Sequence, residues 1–212
     1  PEGFTAGICK SVEGKKILEQ YARTLEEIER PVLATNLEEF SDVIFDFVFF
    51  RNPVTTKESF VDFAEKVKNL KELYPECKII ISQKIPAKAQ CLASLIRGIY
   101  PQKSSLIDKI EKLETEFFTS KSEISWNQDD FIASMPKTEN TKITCTEKTI
   151  IEKRKISEAE LSRWFNPNSS YAKFLSENLT KEEYEEFYAL LQQACTETIF
   201  DWHSVLGFVK IG

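Results

Sequence analysis

Short apolar runs alternate with amphipathic stretches in the first hundred residues of the chain. The apolar runs predict strands over residues 4–9, 32–34, 44–50 and 77–82. Apolar residues at helical spacing predict helices over residues 15–29, 57–73 and 87–99. Residues 44–50 are almost wholly apolar, as is typical of a strand buried on both faces of a parallel sheet. The alternation therefore predicts βαβ units and a mainly parallel sheet with helices on both faces.

The second half of the chain has a different pattern. Helical spacing predicts helices over residues 104–118 and 126–135, the latter beginning from Ser125. Two capping boxes, at residues 157–160 and 180–183, predict the starts of two further helices. Weak alternation over residues 143–156 predicts an antiparallel strand with one solvated face, and residues 208–211 suggest a last strand. We therefore expect an α/β region over residues 1–156 and a helical extension packed on it over residues 157–212.

Charge and rare residues exclude several classes of site. The chain has 212 residues, with 28 Lys and Arg against 34 Asp and Glu, and its net charge of −6 argues against a dedicated nucleic-acid binder. Neither GxxxxGK[ST] nor GxGxxG occurs, so no glycine-rich phosphate cradle is expected within these residues. His203 is the single histidine, and a packing or surface role is favoured for it over a catalytic or metal-binding one.

The cysteines and the absence of long apolar stretches bear on location. The five cysteines are scattered at least 14 residues apart, which predicts buried thiols in a reducing compartment rather than zinc or redox motifs. No apolar stretch approaches the 18 residues of a membrane span, and the first residues lack a signal-peptide pattern. We expect a soluble cytoplasmic protein with no membrane partner and no metal site.

Polar residues follow two of the predicted strands, where ligands of parallel α/β sheets bind. The strand over residues 44–50 leads to Arg51 and Asn52, which offer a cation and an amide, and then to Pro53. Residues 32–34 lead to Asn36 and Leu37, which are suited to the edge and the plane of a base. The alternatives are a strand end with ordinary polar residues and, for Asn36, a cap on the following turn. No carboxylate pair is spaced as an acid–base dyad, so no catalytic residue is predicted.

Two other groups of residues favour structural roles. Trp126, Trp164 and Trp202 are expected to anchor the C-terminal layer of the core rather than to form a binding platform. Lys148 and residues 153–155 form a basic stripe. A solvated strand face is favoured there over a nucleic-acid site, because no aromatic residues interleave the charges.

The order of elements and the segment FDFVFFRNPV resemble a class I S-adenosylmethionine-dependent methyltransferase. That family often carries (N/D)PP(Y/F) after its fourth strand, of which Asn52 and Pro53 match two positions. The resemblance implies a Rossmann-like fold in which residues 4–9 form the second strand. It also implies that Asn36 and Leu37 contact adenine, and that Arg51 and Asn52 face the methyl donor and the substrate.

A second resemblance covers nearly the whole chain. The chain is similar to the methyltransferase-like extension that follows the AAA-type ATPase in cyanobacterial fusions of the replication-associated recombination protein A family. The segments that carry this similarity, in order, are PEGFTAGICKSVEG, ERPVLATNLEEF, FDFVFFRNPV, IIISQKIPAKAQ, ISWNQDDF, KRKISEAELSRWF and IFDWHSVLGF.

This second resemblance implies a parent protein that hydrolyses ATP at stalled replication forks. The upstream ATPase region would then be the partner of these residues, DNA would be met through the parent alone, and self-association is left open. It also implies that the first strand and the cofactor-binding glycine loop lie upstream of Pro1. We then expect one of three outcomes: the second and fourth strands pair directly, another chain fills the place between them, or a preceding segment of the same protein does.

Three hypotheses about function follow. The first is a non-catalytic methyltransferase-like module serving the ATPase, with no cofactor of its own. The second is an active methyltransferase of unknown acceptor that binds S-adenosylmethionine; transfer from a sulfonium needs positioning but no general base. The third is an unrelated α/β interaction domain. The sequence does not decide whether the chain is an enzyme.

Overall fold

The computed structural model describes residues 5–9, 11–120, 124–136 and 142–212. The strands are β1 (Ala6–Ile8), β2 (Val32–Ala34), β3 (Phe47–Arg51), β4 (Lys78–Lys84), β5 (Ile143–Arg154) and β6 (Phe200–Ile211). The helices are α1 (Val12–Ala22), α2 (Ser59–Leu73), α3 (Leu92–Ile96), α4 (Ser104–Thr119), α5 (Gln128–Ser134), α6 (Glu158–Trp164), α7 (Ser170–Asn178) and α8 (Lys181–Glu197).

Two compact units divide the chain. Unit 1 is Pro1–Phe45 and unit 2 is Asp46–Gly212. The domain boundary that the sequence predicts after residue 156 stays a prediction.

Unit 1 holds a short parallel pair of strands, β1 and β2, joined through α1. Ser11 caps α1, because its hydroxyl accepts the Gly14 N–H at 3.0 Å. The predicted helix over residues 15–29 is wrong at both ends, since α1 begins at Val12 and ends at Ala22. Side chains take carbonyls that a longer helix would need: the Thr24 hydroxyl donates to the Tyr21 carbonyl at 2.7 Å. Phe4, in the predicted first strand, lies outside the described residues.

Unit 2 is built on a four-stranded sheet of order β3-β4-β6-β5. β3 and β4 are parallel, and β6 pairs antiparallel with both β4 and β5. Three of its four strands therefore run in one direction, and the predicted α/β class is confirmed. The methyltransferase-like form of that class stays a prediction. Among the described residues, β1 and β2 form a sheet of their own, and neither sheet pairs the predicted second strand with the predicted fourth.

β3 is covered on one face, which corrects the expectation of a strand buried on both. Phe50 meets Phe63 of α2 edge to face, with ring centroids 5.1 Å apart. On the other face Phe47 and Phe49 are 61% and 60% exposed. Exposed and half-buried residues alternate along β3 because α2 packs on one side of the sheet. The sequence does not show this alternation, because phenylalanines lie on both faces of the strand.

α2 and α5 share an aromatic cluster. The predicted stripe of α2 is buried as expected, at Phe60, Phe63, Val67 and Leu70. Trp126 and Phe131 pack against Phe60, with centroid distances of 5.2 and 5.7 Å. Trp126 thus anchors the α2 side of the core rather than the C-terminal layer. It precedes α5, which begins at Gln128 with Asn127 as its cap instead of Ser125.

The remaining helices bury a second core. Both predicted capping boxes are confirmed, at Ser157 for α6 and at Thr180 for α8. Trp164 of α6 stacks on Trp202 of β6 at 5.9 Å, against the edge of this core. Its buried residues come from α3, α4, α6, α7 and α8 and include Ile96, Ile107, Ile110, Leu161, Leu175, Phe187 and Leu191. The sequence did not predict α7.

β5 and β6 form a continuous antiparallel ladder that runs from Ile143 opposite Ile211 to Arg154 opposite Phe200. The predicted last strand, residues 208–211, is therefore too short at its start. β5 was expected to have one solvated face, but residues 146–153 are exposed on both. The solvated basic stripe is confirmed for Lys148 and Lys153. All five cysteines are free; Cys9, Cys77 and Cys195 are buried and the other two are half-buried.

A buried carboxyl joins α3, α4 and α7. Glu114 of α4 accepts the N–H groups of Leu92 and Ala93 at 2.8 and 2.9 Å and the Tyr171 hydroxyl at 2.7 Å. It supplies acceptors to the first turn of α3, which has no side-chain cap of its own. Burial raises the pKa of Glu114 to about 7, despite the lowering effect of these hydrogen bonds. The predicted helix over residues 87–99 is reduced to α3 with a 3₁₀ turn before it.

Glu114 makes the stability of unit 2 depend on pH. Its pKa is raised in the folded chain, so its contribution is present below the ordinary carboxyl pKa and is lost as pH rises through about 7. We expect the free energy of unfolding of the wild type, relative to Glu114→Gln, to fall by about 2 to 3 kcal/mol between pH 5 and pH 8. Urea unfolding at both pH values measures this.

A matched control is Glu72→Gln, which removes an exposed carboxylate on α2. Its unfolding free energy should follow that of the wild type across the same pH range. Parallel pH curves for the wild type and Glu114→Gln would contradict the assignment.

Candidate functional site

The carboxyl ends of β3 and β4 form the first candidate site. Asn52 follows β3 with φ of 47°, in the left-handed region that asparagine tolerates better than most residues. Its N–H donates to the Ser82 carbonyl at 2.7 Å, and its Oδ1 accepts the Lys84 N–H at 2.9 Å. The Asn52 side chain oxygen therefore holds the two strand ends together.

Gln83 holds the loop that follows β3. Its side chain is buried, and its Nε2 donates to the carbonyls of Val54 at 3.1 Å and Lys84 at 3.0 Å. Its Oε1 accepts the Val54 N–H at 3.3 Å. The amide thus satisfies both backbone groups of a buried loop residue, as a neighbouring strand would.

Trp126 holds the next residue of the same loop. Its indole N–H donates to the Thr55 carbonyl at 3.2 Å, while its ring lies in the aromatic cluster of α2 and α5. Ser59 closes the loop from the other side, because its hydroxyl donates to the Thr56 carbonyl at 2.6 Å. The loop between β3 and α2 is therefore bound at successive residues to the body of unit 2.

Two cations remain exposed at this edge. Arg51 pairs with Ser82 in the sheet register, so Arg51 and Lys84 lie on the same face of the sheet. That face also carries the exposed Phe47 and Phe49. Cations beside a strand end attract carboxylate or phosphate groups, so the chemistry open at this edge is the binding of an anion.

Asn36 and Leu37 lie in unit 1, after β2. Asn36 Oδ1 accepts the Glu39 N–H at 3.1 Å, which is the capping role that the sequence offered as the alternative. Glu39 accepts the N–H and hydroxyl of Thr35, and these hydrogen bonds, chiefly that of the N–H, hold its pKa below the usual range. Contact of Asn36 and Leu37 with adenine, and of Arg51 and Asn52 with a methyl donor, stays a prediction.

The second candidate site is a depression of about 370 Å³ that lies where β6 extends beyond β4. Ser94, Asp201 and His203 line it, which raises the question of nucleophilic catalysis. The Ser94 hydroxyl donates to the Cys91 carbonyl at 2.7 Å, and its oxygen accepts a hydrogen bond from the Gln90 Nε2 at 2.6 Å. Asp201 pairs with Lys153 at 2.7 Å. These bonds are not those of a catalytic triad, and His203 has the surface position that the sequence favoured.

Gln83 and Trp126 are the residues of this region whose roles the sequence analysis missed. A signal for Gln83 exists, because it shares the side of β4 on which Ile79 and Ile81 are buried. A glutamine at an inward position of an apolar strand indicates a buried hydrogen-bonding role.

Within residues 5–9, 11–120, 124–136 and 142–212, no three His, Cys, Asp or Glu side chains gather as metal ligands would. In the same part of the chain, no helix has the length and apolar character to cross a bilayer.

Comparison with known proteins gives likenesses among solved structures but no family match. No family model matches the chain, and no curated protein matches it. Among solved structures it is similar to a cyclopropane-fatty-acyl-phospholipid synthase-like protein from Lactobacillus casei ATCC 334. The TM-score is 0.44 at 11% identity, over 92% of this chain and 68% of that chain. A likeness of this degree identifies neither a family nor a ligand.

The amide of Gln83 should determine the rigidity of the loop after β3. We expect Gln83→Leu to lower the free energy of unfolding by about 2 to 3 kcal/mol, because both backbone groups of Val54 lose a buried partner. The Val54 amide should also exchange its hydrogen faster than in the wild type, as measured by NMR.

Trp126→Phe provides the comparison for Gln83→Leu. It removes the hydrogen bond to Thr55 and leaves the bonds to Val54 in place. Protection of the Val54 amide in Gln83→Leu equal to that in the wild type would show that the loop does not depend on this side chain.

Proposed function

We propose that this chain is a non-catalytic, methyltransferase-like interaction module. The observation that carries the proposal is the use of polar side chains at the strand ends. The Asn52 side-chain oxygen accepts the Lys84 N–H, and both ends of the Gln83 amide bond the backbone of Val54. Atoms engaged in this way hold the loop and the strand ends together, which leaves fewer side-chain groups to orient a substrate.

The fit to S-adenosylmethionine is incomplete on the same ground. The methyltransferase resemblance assigns Asn36, Leu37, Arg51 and Asn52 to the donor. The side-chain oxygens of Asn36 and Asn52 accept backbone N–H groups at 3.1 and 2.9 Å. Of the other two residues, neither the Leu37 nor the Arg51 side chain carries an acceptor for an adenine amino group.

The wider setting that we propose comes from the resemblance to the ATPase extension. In that setting the partner of the module is the AAA-type ATPase region of a parent protein. The parent would use ATP and act in DNA replication and recombination, and the module would meet DNA through the parent. An acidic chain suits such a role, since a net charge of −6 does not favour direct contact with DNA.

The alternative is an active S-adenosylmethionine-dependent methyltransferase. The exposed Arg51 and Lys84 favour it, because cations at the carboxyl end of parallel strands suit the carboxylate of such a donor. S-adenosylmethionine, when bound, would supply the methyl group. Arg51 would hold an anionic end of the donor or of its acceptor.

Calorimetric titration of S-adenosylmethionine and S-adenosylhomocysteine distinguishes the two functions when the titrated chain is extended upstream of Pro1 by about 30 residues, the length of the βα unit that the resemblance implies. For a non-catalytic module we expect no binding heat up to ligand concentrations of about 1 mM. Circular dichroism and a cooperative urea transition would establish that the titrated protein is folded.

Micromolar binding would overturn the non-catalytic proposal. If that binding were weakened at least tenfold by Asn36→Ala and by Arg51→Ala, it would support the methyltransferase alternative. Asn168→Ala, which changes an exposed asparagine of a loop in unit 2, is the matched control and should leave any binding unchanged.

A further inference from the structure

The outer edge of β5 is the longest open strand edge in the part of the chain that the structure describes. β5 is the end strand of its sheet and runs for 12 residues without a bulge. Residues 146–153 are exposed on both faces, and Ile151 is 60% exposed. An edge of this length is a template for pairing with another strand.

The ladder with β6 determines which backbone groups of β5 point outward. Lys142 and Gly212 exchange two hydrogen bonds, of 2.9 and 3.3 Å, just before the ladder begins. In an antiparallel ladder such pairs alternate with pairs that do not bond each other. The register from Ile143 to Arg154 is unbroken, so the even-numbered residues bond β6 and the odd-numbered residues present their N–H and C=O groups outward.

We propose that a second copy of this chain pairs with this edge, antiparallel and symmetric about Ile150. Outward-pointing residues must face one another, so the twofold axis has to pass through a residue rather than between two. With the axis at Ile150, Thr149 faces Ile151 of the second copy. Each such pair of odd-numbered residues then exchanges two backbone hydrogen bonds.

The pattern of charges along β5 favours the register with its axis at Ile150 over the neighbouring registers. With the axis at Ile150, Glu147 lies opposite Lys153 of the second copy, and Lys148 lies opposite Glu152. Symmetry doubles both contacts, and every charge that faces another charge meets its opposite. An axis at Lys148 or Glu152 would set that residue against itself. An axis at Ile151 would set Lys148 against Arg154, and one at Thr149 would make no ion pair.

Ion pairs already present in the chain extend the same pattern. Glu147 pairs with Lys88, and Lys153 pairs with Asp201 at 2.7 Å. Across the proposed pairing these groups form a row that alternates in sign, from Lys88 through Glu147 to Lys153 and Asp201 of the second copy. A single ion pair on an exposed surface would contribute little to the stability of the dimer, and a network of such pairs contributes more.

Sedimentation velocity over a range of protein concentrations tests the pairing. We expect the wild type to dimerise and Lys148→Glu to weaken the dimer by about tenfold, because Glu152 of the second copy then faces a like charge. The double variant Lys148→Glu, Glu152→Lys should recover the wild-type affinity, since the opposite charges again face each other. A wild type that stays monomeric, or a double variant as weak as the single one, would overturn the proposal.

A backbone variant and its control separate pairing from folding. Thr149→Pro removes an outward N–H without removing a bond to β6, so it should abolish the dimer. Thr149→Val keeps the N–H and the shape of the side chain, and should dimerise as the wild type does. Urea unfolding at low protein concentration checks that Thr149→Pro is folded, and a folded Thr149→Pro that still dimerises would overturn the proposal.

Disulfide cross-linking tests the position of the twofold axis. At the axis, Ile150→Cys would face itself in a pair with Cα atoms about 4.5 Å apart, within the range for a disulfide. Ile151→Cys would face Thr149 instead. Oxidised glutathione should therefore cross-link Ile150→Cys into a dimer well above the wild-type background, and Ile151→Cys much less. Equal cross-linking of the two variants would overturn the register.

Discussion

The antiparallel entry of β6 between β4 and β5 is the constraint on which unit 2 depends. β6 pairs over six residues with β4 and over its whole length with β5. β5 has no other strand neighbour among the described residues, and the parallel pair of β3 and β4 is widened into a sheet by β6 alone. The projecting end of β6 also brings Trp202 against Trp164 and Phe200 into the helical core. One strand thus joins β5 to the sheet and the sheet to the helical core.

Predictions from the sequence were best where local chemistry determines the outcome. The capping boxes at Ser157 and Thr180 begin helices as expected, because the cap and its carboxylate are three residues apart in any context. The stripe of α2 and the parallel strands β3 and β4 were likewise predicted. The strand β6 was predicted only at its apolar end, since residues 201–204 are polar or aromatic and owe their strand conformation to pairing with β5.

The candidate site could be predicted in place but not in detail. The end of the apolar run correctly placed Arg51 and Asn52 at the carboxyl edge of the sheet. The sequence could not show that Asn52 would bond the Lys84 N–H, or that Gln83 would bond Val54, because these contacts join segments about 30 residues apart. The same holds for Glu114, whose acceptors serve a helix that precedes it in the chain. Such contacts depend on packing, and no local pattern carries them.

The sheet order also has a consequence for synthesis of the chain. β4 and β6 are neighbours in space, yet β5 and the helices α3 to α8 lie between them in sequence. A ribosome therefore produces β3, β4 and β5 well before the strand that joins them. During that interval β4 presents Ile79 and Ile81 beside an unpaired edge, a combination that favours association with other nascent chains. The late strand makes the growing polypeptide dependent on protection of that edge until translation reaches β6.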